Sequence, residues 1–340
     1  MKIPVIAFVL SIVLTTVLTP LVRTLAFRFG AVAHPRERDV HQKPLPRWGG
    51  LAMYGGFLLT LGIVTSWILT HRATFPWSPQ QLNQYYGVIL GATIVAVVGT
   101  IDDKFEISAL WQSAGLIAAG AVLVVFGVRI EGMTNPFTAH EFPLGDPRTW
   151  IGFPAWASAV FTVVWVFGVS KTVDFIDGLD GLAAGVCAIC GATLAIMSAI
   201  AAVGTNGQYE VTILAAAMVG ACLGFLRYNY NPASIIMGTV GAQFLGFVLA
   251  SLSIIGTIKI AAAVSIALPL IVLGVPIFDG IRVVTQRTIN RTPAYLPDKT
   301  SHIHHLLINK GLSQRRAVWV IYGLTACFCA LALVLFRFGR

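Results

Sequence analysis

Long apolar runs are the feature that most constrains this chain. Ten of them approach the roughly 20 residues that an α-helix needs to cross a bilayer. They lie at approximately 3–23, 49–70, 86–101, 111–128, 154–170, 182–203, 211–227, 241–257, 260–278 and 316–337. Inside lipid the backbone has no water to bond, so each run is predicted to be a helix. The sequence therefore predicts an all-α integral membrane protein with about ten transmembrane helices.

Composition supports the membrane assignment and excludes an ordinary soluble domain. The chain is 56% hydrophobic and 11% charged, whereas a soluble domain carries about 25% charged residues. The first run is longer than the apolar part of a signal peptide, so we expect it to stay in the protein as a helix. No low-complexity tract or solenoid repeat divides the chain, and residues 1–340 are interpreted as a single membrane domain.

The basic residues indicate a topology. The net charge is +9, and sixteen Lys and Arg side chains fall on the loops after odd-numbered runs, against four on the even loops. The positive-inside rule makes the odd loops cytoplasmic and puts both termini outside. We interpret the charge in this way rather than as a sign of nucleic-acid binding.

Other polar residues collect on the same side. Ten of the 14 carboxylates and five of the seven histidines lie on odd loops or at their edges. Because the topology rests on Lys and Arg alone, this second asymmetry is independent of it. It predicts one active site at the cytoplasmic face.

The loop "AHPRERDVHQKPLPRWGG", residues 33–50, is the first polar stretch. Its prolines and glycines predict a stiff loop that ends where the second helix begins. Arg38, His41, Lys43 and Arg47 can hold phosphate. The alternative is that these side chains set the topology and contact anionic lipid.

An acidic pair, Asp102 and Asp103, sits where the third run ends. Adjacent acids at a membrane edge repel each other unless a cation or a basic partner lies between them. Mg²⁺ in proteins takes one or two carboxylates together with substrate phosphate oxygens. A solvated pair that only ends a helix is the alternative.

The stretch "DFIDGLDGLAAG" places Asp174, Asp177 and Asp180 at steps of three. On a helix such steps fan the side chains over one side. Gly178 and Gly181 let another backbone or a ligand come close. Capping a helix would need one aspartate rather than three.

The stretch "PDKTSHIHHLL", residues 297–307, lies in a large cytoplasmic loop predicted over 279–315. His302, His304 and His305 could ligate a metal, but a metal pair on a helix needs a spacing of three or four, which only His302 and His305 have. We expect the three histidines to face phosphate oxygens instead. Asp279, in "PIFDG", begins the same loop.

These stretches together resemble the polyprenyl-phosphate N-acetylhexosamine-1-phosphate transferases, in the branch that starts O-antigen and teichoic-acid synthesis. Residues 34–50 are similar to the family loop "HPxxRxxHxxPxPxxGG", residues 102–103 to its Asp-Asp pair and residues 176–184, "IDGLDGLAA", to its signature. Residues 229–241, "NYNPASIIMGTVG", resemble its "NxxPAxxxMGDxG" loop, and "PIFD" with "HIHHLL" its last cytoplasmic loop.

The resemblance implies a bacterial inner-membrane enzyme in which a polyprenyl phosphate attacks the β-phosphorus of a UDP-sugar and UMP leaves. It implies Mg²⁺, or Mn²⁺ in its place, to neutralise the diphosphate. It also allows a homodimer. The implied site groups fall into three sets. The metal is assigned to Asp102 and Asp103, with Asp174, which the family pattern lacks, as a third ligand that replaces the acid lost at position 239. Catalysis is assigned to Asp102, Asp103, Asp177, His302, His304 and His305, and substrate binding to Arg38, His41, Lys43, Asp180, Asn231 and Asp279.

Several positions depart from the family pattern. Thr239 stands where "MGDxGS" has its acid, and Lys171 and Asp174 replace the two asparagines of "NAxNxIDGLDG". In one account Asp174 supplies the carboxylate that position 239 lost, with Lys171 balancing the added charge. In the other the metal site is broken, because a hydroxyl is a weak ligand for Mg²⁺, and the protein is a non-catalytic homologue that binds nucleotide sugar or lipid phosphate.

Two further classes stay open at this stage. A cation-coupled transporter also buries acids between helices, but it places them near the membrane midplane. An aspartate-rich membrane prenyltransferase also uses Mg²⁺ at a helix edge, but it has no evident need for the histidine loop.

Overall fold

Helices make up nearly all of the regular structure. The computed structural model describes residues 2–33, 44–71, 77–134, 150–201, 208–257, 267–289 and 302–338. The helices are α1 (Lys2–Phe29), α2 (Gly49–Thr70), α3 (Pro79–Phe105), α4 (Ala109–Val125), α5 (Ala155–Ile176), α6 (Leu182–Ala201), α7 (Tyr209–Asn229), α8 (Gly238–Thr257), α9 (Ala267–Val272), α10 (Gly274–Ile289), α11 (Ile303–Asn309) and α12 (Gln314–Phe338).

Two short antiparallel hairpins complete the described structure. The strand β1 (Val32–Ala33) pairs with β2 (Leu45–Pro46), close to the start of α2. The strand β3 (Gly132–Thr134) pairs with β4 (Trp150–Gly152), between α4 and α5. Neither hairpin is long enough to form a layer of its own, so the fold is all-α.

The predicted membrane fold is confirmed. Within the described ranges, 8 helices are long and apolar enough to cross a membrane, and they correspond to eight of the ten predicted runs. The fourth run forms α4, an apolar helix of 17 residues. The ninth run, 260–278, begins among residues outside the description, and its remainder continues as α9 and α10. The chain is a multi-pass membrane protein.

Several helices are longer than their apolar runs predicted, among them α1, which continues to Phe29, and the two helices α3 and α5. The helix α3 begins at Pro79 because Ser78 and Gln81 form a capping box, in which each side chain accepts the backbone N–H of the other. The helix α5 continues six residues past the predicted end at 170, through Lys171 and Asp174. Those two polar side chains bond each other and neighbouring helices, so the helix can continue at the bundle end without leaving them unpaired.

The loop predicted over 279–315 contains helices wherever the structure describes it. Asp279 lies inside α10, which runs on to Ile289, and α11 carries His304 and His305. Residues 290–301 of this segment lie outside the described ranges. The apolar run therefore did not mark the end of the helix that carries Asp279.

The helix α8 lies at the centre of the bundle, and most of its apolar stretch is enclosed by protein. Its start packs closely on α2 and α3 because the contact positions are glycines. A Cβ atom on Gly50 would lie 2.2 Å from the Cα of Gly241, and one on Gly99 would lie 2.4 Å from the Cα of Val240. Small residues let membrane helices approach in this way. The close packing fixes the N-terminus of α8 beside the C-terminus of α3.

Candidate active site

Polar residues from several helix ends meet at one end of the bundle. The site is built from the last turns of α3 and α5, the loop between α5 and α6, the first turns of α4 and α8, the loop after α7 and the start of α12. Side-chain hydrogen bonds join each of these segments to another. The acids thus lie at helix ends, as the sequence predicted, rather than in the middle of the spans.

Asp103 binds the N-terminus of α8. Its Oδ1 accepts the backbone N–H of Thr239 at 2.8 Å, and its Oδ2 accepts that of Val240 at 3.2 Å. The first N–H groups of a helix have no partner within the helix, and negative charge is favoured there. Both oxygens of this buried carboxylate therefore already bond the protein.

Asp102 belongs to a different network, which crosses four helices, α3, α4, α5 and α8. Its Oδ1 accepts the side-chain N–H of Gln112 at 2.9 Å. The oxygen of that amide, Oε1, accepts a hydrogen bond from the Lys171 ammonium at 2.8 Å. Lys171 also lies 3.2 Å from Oδ2 of Asp174, and Gln243 Nε2 lies 3.4 Å from the same oxygen. One lysine therefore connects the acidic pair to the "DFIDGLDG" stretch.

Asp177 is a carboxylate between two others. No hydrogen bond from its side chain to another described residue is present, and Asp174 and Asp180 are close enough to act on it electrostatically. Burial, with the charges of those two neighbours, raises the pKa of Asp177 to about 7. The position disfavours a negative charge unless a cation or a donor group comes to it.

Asp180 ties two loops together. Its Oδ2 accepts the side-chain N–H of Asn231 at 2.9 Å and the backbone N–H of Ala233 at 3.0 Å. One residue later, the backbone N–H of Gly181 bonds Oδ1 of Asn229 at 3.0 Å. Gly181 has a φ of +79°, which a residue with a side chain rarely adopts. The "DGLDG" turn is therefore held in shape by the loop after α7.

The last helix closes this part of the site. Asn231 Nδ2 donates to Oε1 of Gln314 at 2.7 Å, and Arg315 Nη2 donates to the Asn231 carbonyl at 2.9 Å. Further along α12, the Tyr322 hydroxyl donates to the Gly181 carbonyl at 2.5 Å. Asn231, predicted to bind substrate, thus also bonds Asp180 and two residues of α12.

His302 is oriented by Asp279. Its Nδ1–H donates to Oδ2 of Asp279 at 2.8 Å, and Oδ1 of the same carboxylate accepts the backbone N–H of Ile303 at 2.7 Å. The pairing fixes the tautomer, because a carboxylate only accepts, and leaves Nε2 as the second polar atom of the ring. Asp279 itself is buried, so its described role is to hold α11 and the His302 ring.

His304 packs over the "DGLDG" turn. It is 1% exposed, and among the described residues neither ring nitrogen has a hydrogen-bond partner. Burial lowers the pKa of His304 to about 3, and the His305 and His302 rings add to the shift. A Cβ atom on Gly178 would lie 2.3 Å from its Nε2. The residue at 178 must therefore lack a side chain, and His304 is a neutral packing group in this arrangement, while His305 is half-buried.

Three of the predicted substrate-binding residues, Arg38, His41 and Lys43, lie outside the described residues. The fourth basic residue of that loop, Arg47, is described and donates to Oε1 of Glu106 at 2.8 Å. The backbone after it reaches the loop before α8, since Gly50 N–H donates to the Met237 carbonyl at 2.8 Å. The end of this loop therefore lies beside the site.

The carboxylates assigned to the metal do not come together as a ligand set. Asp103 bonds the start of α8, Asp102 bonds Gln112 and Asp174 bonds Lys171. In the part of the chain that the structure describes, no group of three His, Cys, Asp or Glu side chains is placed to hold a metal ion. With Thr239 in place of an acid, Asp102, Asp103 and Asp174 do not form the predicted three-carboxylate set for Mg²⁺, and the Mg²⁺ or Mn²⁺ requirement stays a prediction.

Glutamines are the site residues that the sequence reasoning missed. Gln112 and Gln243 lie within helices that are otherwise apolar near the site, and Gln314 begins α12. A polar side chain inside a membrane helix is costly unless it is paired, and it often marks a functional position. The same rule, applied to single glutamines as well as to acids, identifies Gln112 and Gln243 from the sequence.

Comparison with known proteins agrees with the motifs. Residues 85–257 match glycosyl transferase family 4. A Bacillus subtilis (strain 168) protein named "Probable undecaprenyl-phosphate N-acetylglucosaminyl 1-phosphate transferase" is 36% identical over 97% of this chain and 84% of its own length. The decaprenyl-phosphate N-acetylglucosaminephosphotransferase of Mycolicibacterium smegmatis is 34% identical over 91% of this chain and 76% of its own.

A more distant relative is named for the same reaction. The undecaprenyl-phosphate alpha-N-acetylglucosaminyl 1-phosphate transferase of Escherichia coli K12 is 26% identical over 96% of this chain and 82% of its own length. These relatives are phosphoglycosyltransferases, so the predicted enzyme class is confirmed at the level of the family. The chain belongs to glycosyl transferase family 4, the polyprenyl-phosphate N-acetylhexosamine-1-phosphate transferases.

Proposed function

We propose that this protein transfers N-acetylglucosamine 1-phosphate from UDP-N-acetylglucosamine to undecaprenyl phosphate, releases UMP and so starts synthesis of a cell-envelope polysaccharide. The observation that carries the proposal is the meeting of the family motifs at one end of a bundle of membrane helices. The names of the relatives support the lipid acceptor and the sugar phosphate. The UDP donor follows from the family resemblance of the motifs.

The position of the polar groups suits a reaction between a soluble and a membrane-bound substrate. The site lies at helix ends, where a nucleotide sugar can arrive from water while a lipid phosphate stays at the membrane surface. Cation-coupled transport fits less well, because it needs acids near the midplane. We place this end of the bundle at the cytoplasmic face of the bacterial inner membrane, because the odd loops carry most of the basic residues.

The chain's own residues have distinct roles in this proposal. An oxygen of the lipid phosphate forms a bond to the β-phosphorus of the donor, and the bond from that phosphorus to the bridging oxygen breaks with its electrons going to UMP. The pairing with Asp279 aims Nε2 of His302 at a phosphate oxygen. Asp180 and Asn231 hold the "DGLDG" turn that we assign to the nucleotide end. Catalysis of phosphoryl transfer consists mostly of such positioning and of charge stabilisation.

The test is UMP release by the purified full-length protein in lipid nanodiscs. UDP-N-acetylglucosamine and undecaprenyl phosphate are supplied together, and each is omitted in turn. We expect UMP only when both are present, and a loss of at least tenfold in Asp102→Asn. The matched control is Glu106→Gln, an acid at the same helix end that is exposed and pairs with Arg47, which should keep most of the activity.

Other outcomes separate the alternatives. Turnover only with a different UDP-sugar corrects the donor and keeps the reaction. Protection of the protein against heat by UDP-N-acetylglucosamine, without turnover with any donor or acceptor, supports the non-catalytic homologue. If the protein shows no turnover and no protection, the proposal is contradicted. A homodimer remains a prediction, which the mass of the detergent-solubilised protein tests.

A further inference from the structure

Lys171 occupies the centre of the polar network. Its Nζ lies 2.8 Å from Oε1 of Gln112 and 3.2 Å from Oδ2 of Asp174. The amide N–H of Gln112 in turn donates a hydrogen bond to Asp102. Since an amide presents one acceptor end and one donor end, the lysine fixes which end of Gln112 faces Asp102. The ammonium therefore sets the geometry of acids on two helices.

The ammonium is partly open to a ligand. A lysine has three N–H donors, and two acceptors among the described residues lie within hydrogen-bond distance. The Lys171 side chain is 17% exposed and that of Asp174 is 22% exposed. The site is thus shielded enough to strengthen an electrostatic contact and open enough to admit a phosphate oxygen.

The surrounding charges call for a cation at this position. Asp102, Asp174 and Asp177 lie near one another through the network and its electrostatic neighbours. An anionic diphosphate entering beside them would be repelled without positive charge. A lysine ammonium is a compact point charge that binds phosphate, and Lys171 bonds Asp174 directly and reaches Asp102 through Gln112.

We propose that Lys171 is a fixed cation of the active site that binds the diphosphate of the donor, so that the nucleotide binds without a divalent metal ion. The inference rests on the proposed function and names the residue that contacts the substrate. It follows from the disagreement between the residues present and the expected metal set. The ammonium that pairs with Asp174 supplies positive charge at a site where Asp102, Asp103 and Asp174 do not come together as a ligand set.

The role in the reaction is electrostatic. As the oxygen of the lipid phosphate bonds to the β-phosphorus, negative charge grows on the bridging oxygen that leaves with UMP and on the oxygens of the transferred phosphate. The ammonium donates a hydrogen bond to one of these oxygens and keeps its proton. Product lipid diphosphate and UMP together carry the charge that the two substrates brought, so no proton, electron or further reactant is needed. Fixed positive charge aimed at developing negative charge is a strong source of rate enhancement.

The experiment measures nucleotide binding and turnover separately. Wild type, Lys171→Asn, Lys171→Gln and Lys171→Arg are purified full length, and the rise in thermal midpoint with UDP is measured in EDTA and in excess Mg²⁺. UMP release from UDP-N-acetylglucosamine and undecaprenyl phosphate is measured in the same two conditions. Lys104→Asn is the control, because Lys104 is at the same bundle end, exposed, and packs over the Phe29 and Phe105 rings.

We expect UDP to protect the wild type and Lys104→Asn equally well in EDTA and in Mg²⁺. The protection in EDTA should fall at least tenfold in apparent affinity in Lys171→Asn and Lys171→Gln and be partly kept in Lys171→Arg. Turnover in EDTA should follow the same order. The midpoint without ligand shows whether a variant is folded, and two neutral variants are used so that one unstable protein does not decide the result.

The two proposals fail in different ways. Wild-type protection by UDP that needs Mg²⁺, or that is unchanged in both neutral variants, overturns the role of Lys171 even if turnover occurs. Protection in EDTA that depends on Lys171, with no turnover for any acceptor, supports the inference and contradicts the proposed reaction. No protection by UDP in any condition overturns both. A lysine that only neutralises Asp174 would change the midpoint without ligand and leave the response to UDP intact.

Discussion

Asp103 and Thr239 are joined across two helices, because the carboxylate of the first accepts the backbone N–H of the second at 2.8 Å. We expect Asp103→Asn to lower the thermal midpoint, since the amide can accept only one of the two N–H groups and carries no charge. Hydrogen bonds to a charged group are worth about 1.5–3 kcal/mol. Unfolding in detergent measures the change, with Asp102→Asn as the neighbouring control. Equal midpoints for the two variants would contradict the capping role.

Thr239 is the position at which an added acid should create a metal response. Thr239→Asp places a second carboxylate beside Asp103, and like charges repel unless a cation lies between them. In EDTA we expect its midpoint to fall below that of Thr239→Asn by on the order of 2–4 °C, which corresponds to about 1 kcal/mol. Added Mg²⁺ should raise the midpoint of Thr239→Asp to that of Thr239→Asn and leave the midpoint of Thr239→Asn unchanged. A midpoint that ignores Mg²⁺ in both variants would exclude this position as part of a metal site.

Asp177 and Asp180 should respond in opposite directions to loss of charge. Asp177→Asn removes repulsion from Asp174 and Asp180 without breaking a hydrogen bond to a described residue, so the midpoint at pH 8 should stay equal or rise. Asp180→Asn weakens its bonds to Asn231 and Ala233 and should lower stability by about 1–3 kcal/mol. Midpoints of both variants at one pH check this. The same sign for both would show that the turn is held differently.

Nucleotide protection gives these two variants a second readout. We expect Asp180→Asn to lose at least tenfold in apparent affinity for UDP, because the "DGLDG" turn loses its link to the loop after α7. The rise in thermal midpoint with UDP concentration measures this. Phe105→Leu, an exposed apolar position at the same bundle end, is the control. Unchanged affinity in Asp180→Asn would move the nucleotide away from the turn.

His304 should make the protein less stable in acid. Its folded pKa is about 3 against about 6.5 in an unfolded chain, so between these values the unfolded state binds more protons. Stability is therefore full above pH 6.5 and falls as the pH drops toward 3, by up to about 1.4 kcal/mol per pH unit. Midpoints from pH 7.5 to 5 measure the fall, and His304→Gln should flatten it. The exposed His71 gives the control, His71→Gln, which should keep the wild-type slope.

The sequence predicted the class of fold and the meeting of the polar stretches, for physical reasons that act locally. Apolar length sets a membrane helix, so eight predicted runs correspond to membrane-length helices. Acids at the ends of membrane helices stay outside the apolar spans, so they collect at one end of the bundle. Asp102, Asp174 and Asp177 therefore lie in one region. These results needed only spacing, hydropathy and charge.

The partners within the site could not be read from spacing, because they depend on the packing of distant helices. Asp103 bonds a backbone 136 residues away, and Tyr322 bonds a carbonyl 141 residues away. The sequence predicted three equivalent histidines, whereas His302 pairs with Asp279 and His304 is buried over Gly178. Which carboxylate is free and which is engaged is a property of the assembled bundle.

The bond from the Tyr322 hydroxyl to the Gly181 carbonyl has a consequence for biosynthesis. The turn that bears Asp177 and Asp180 leaves the ribosome some 140 residues before the tyrosine that holds it. A nascent chain stalled before α12 would contain every aspartate of the site and the loop after α7 that bonds the turn, and yet lack the Tyr322 contact. The last contact on this turn therefore forms only once the final helix has been made and has packed against α6.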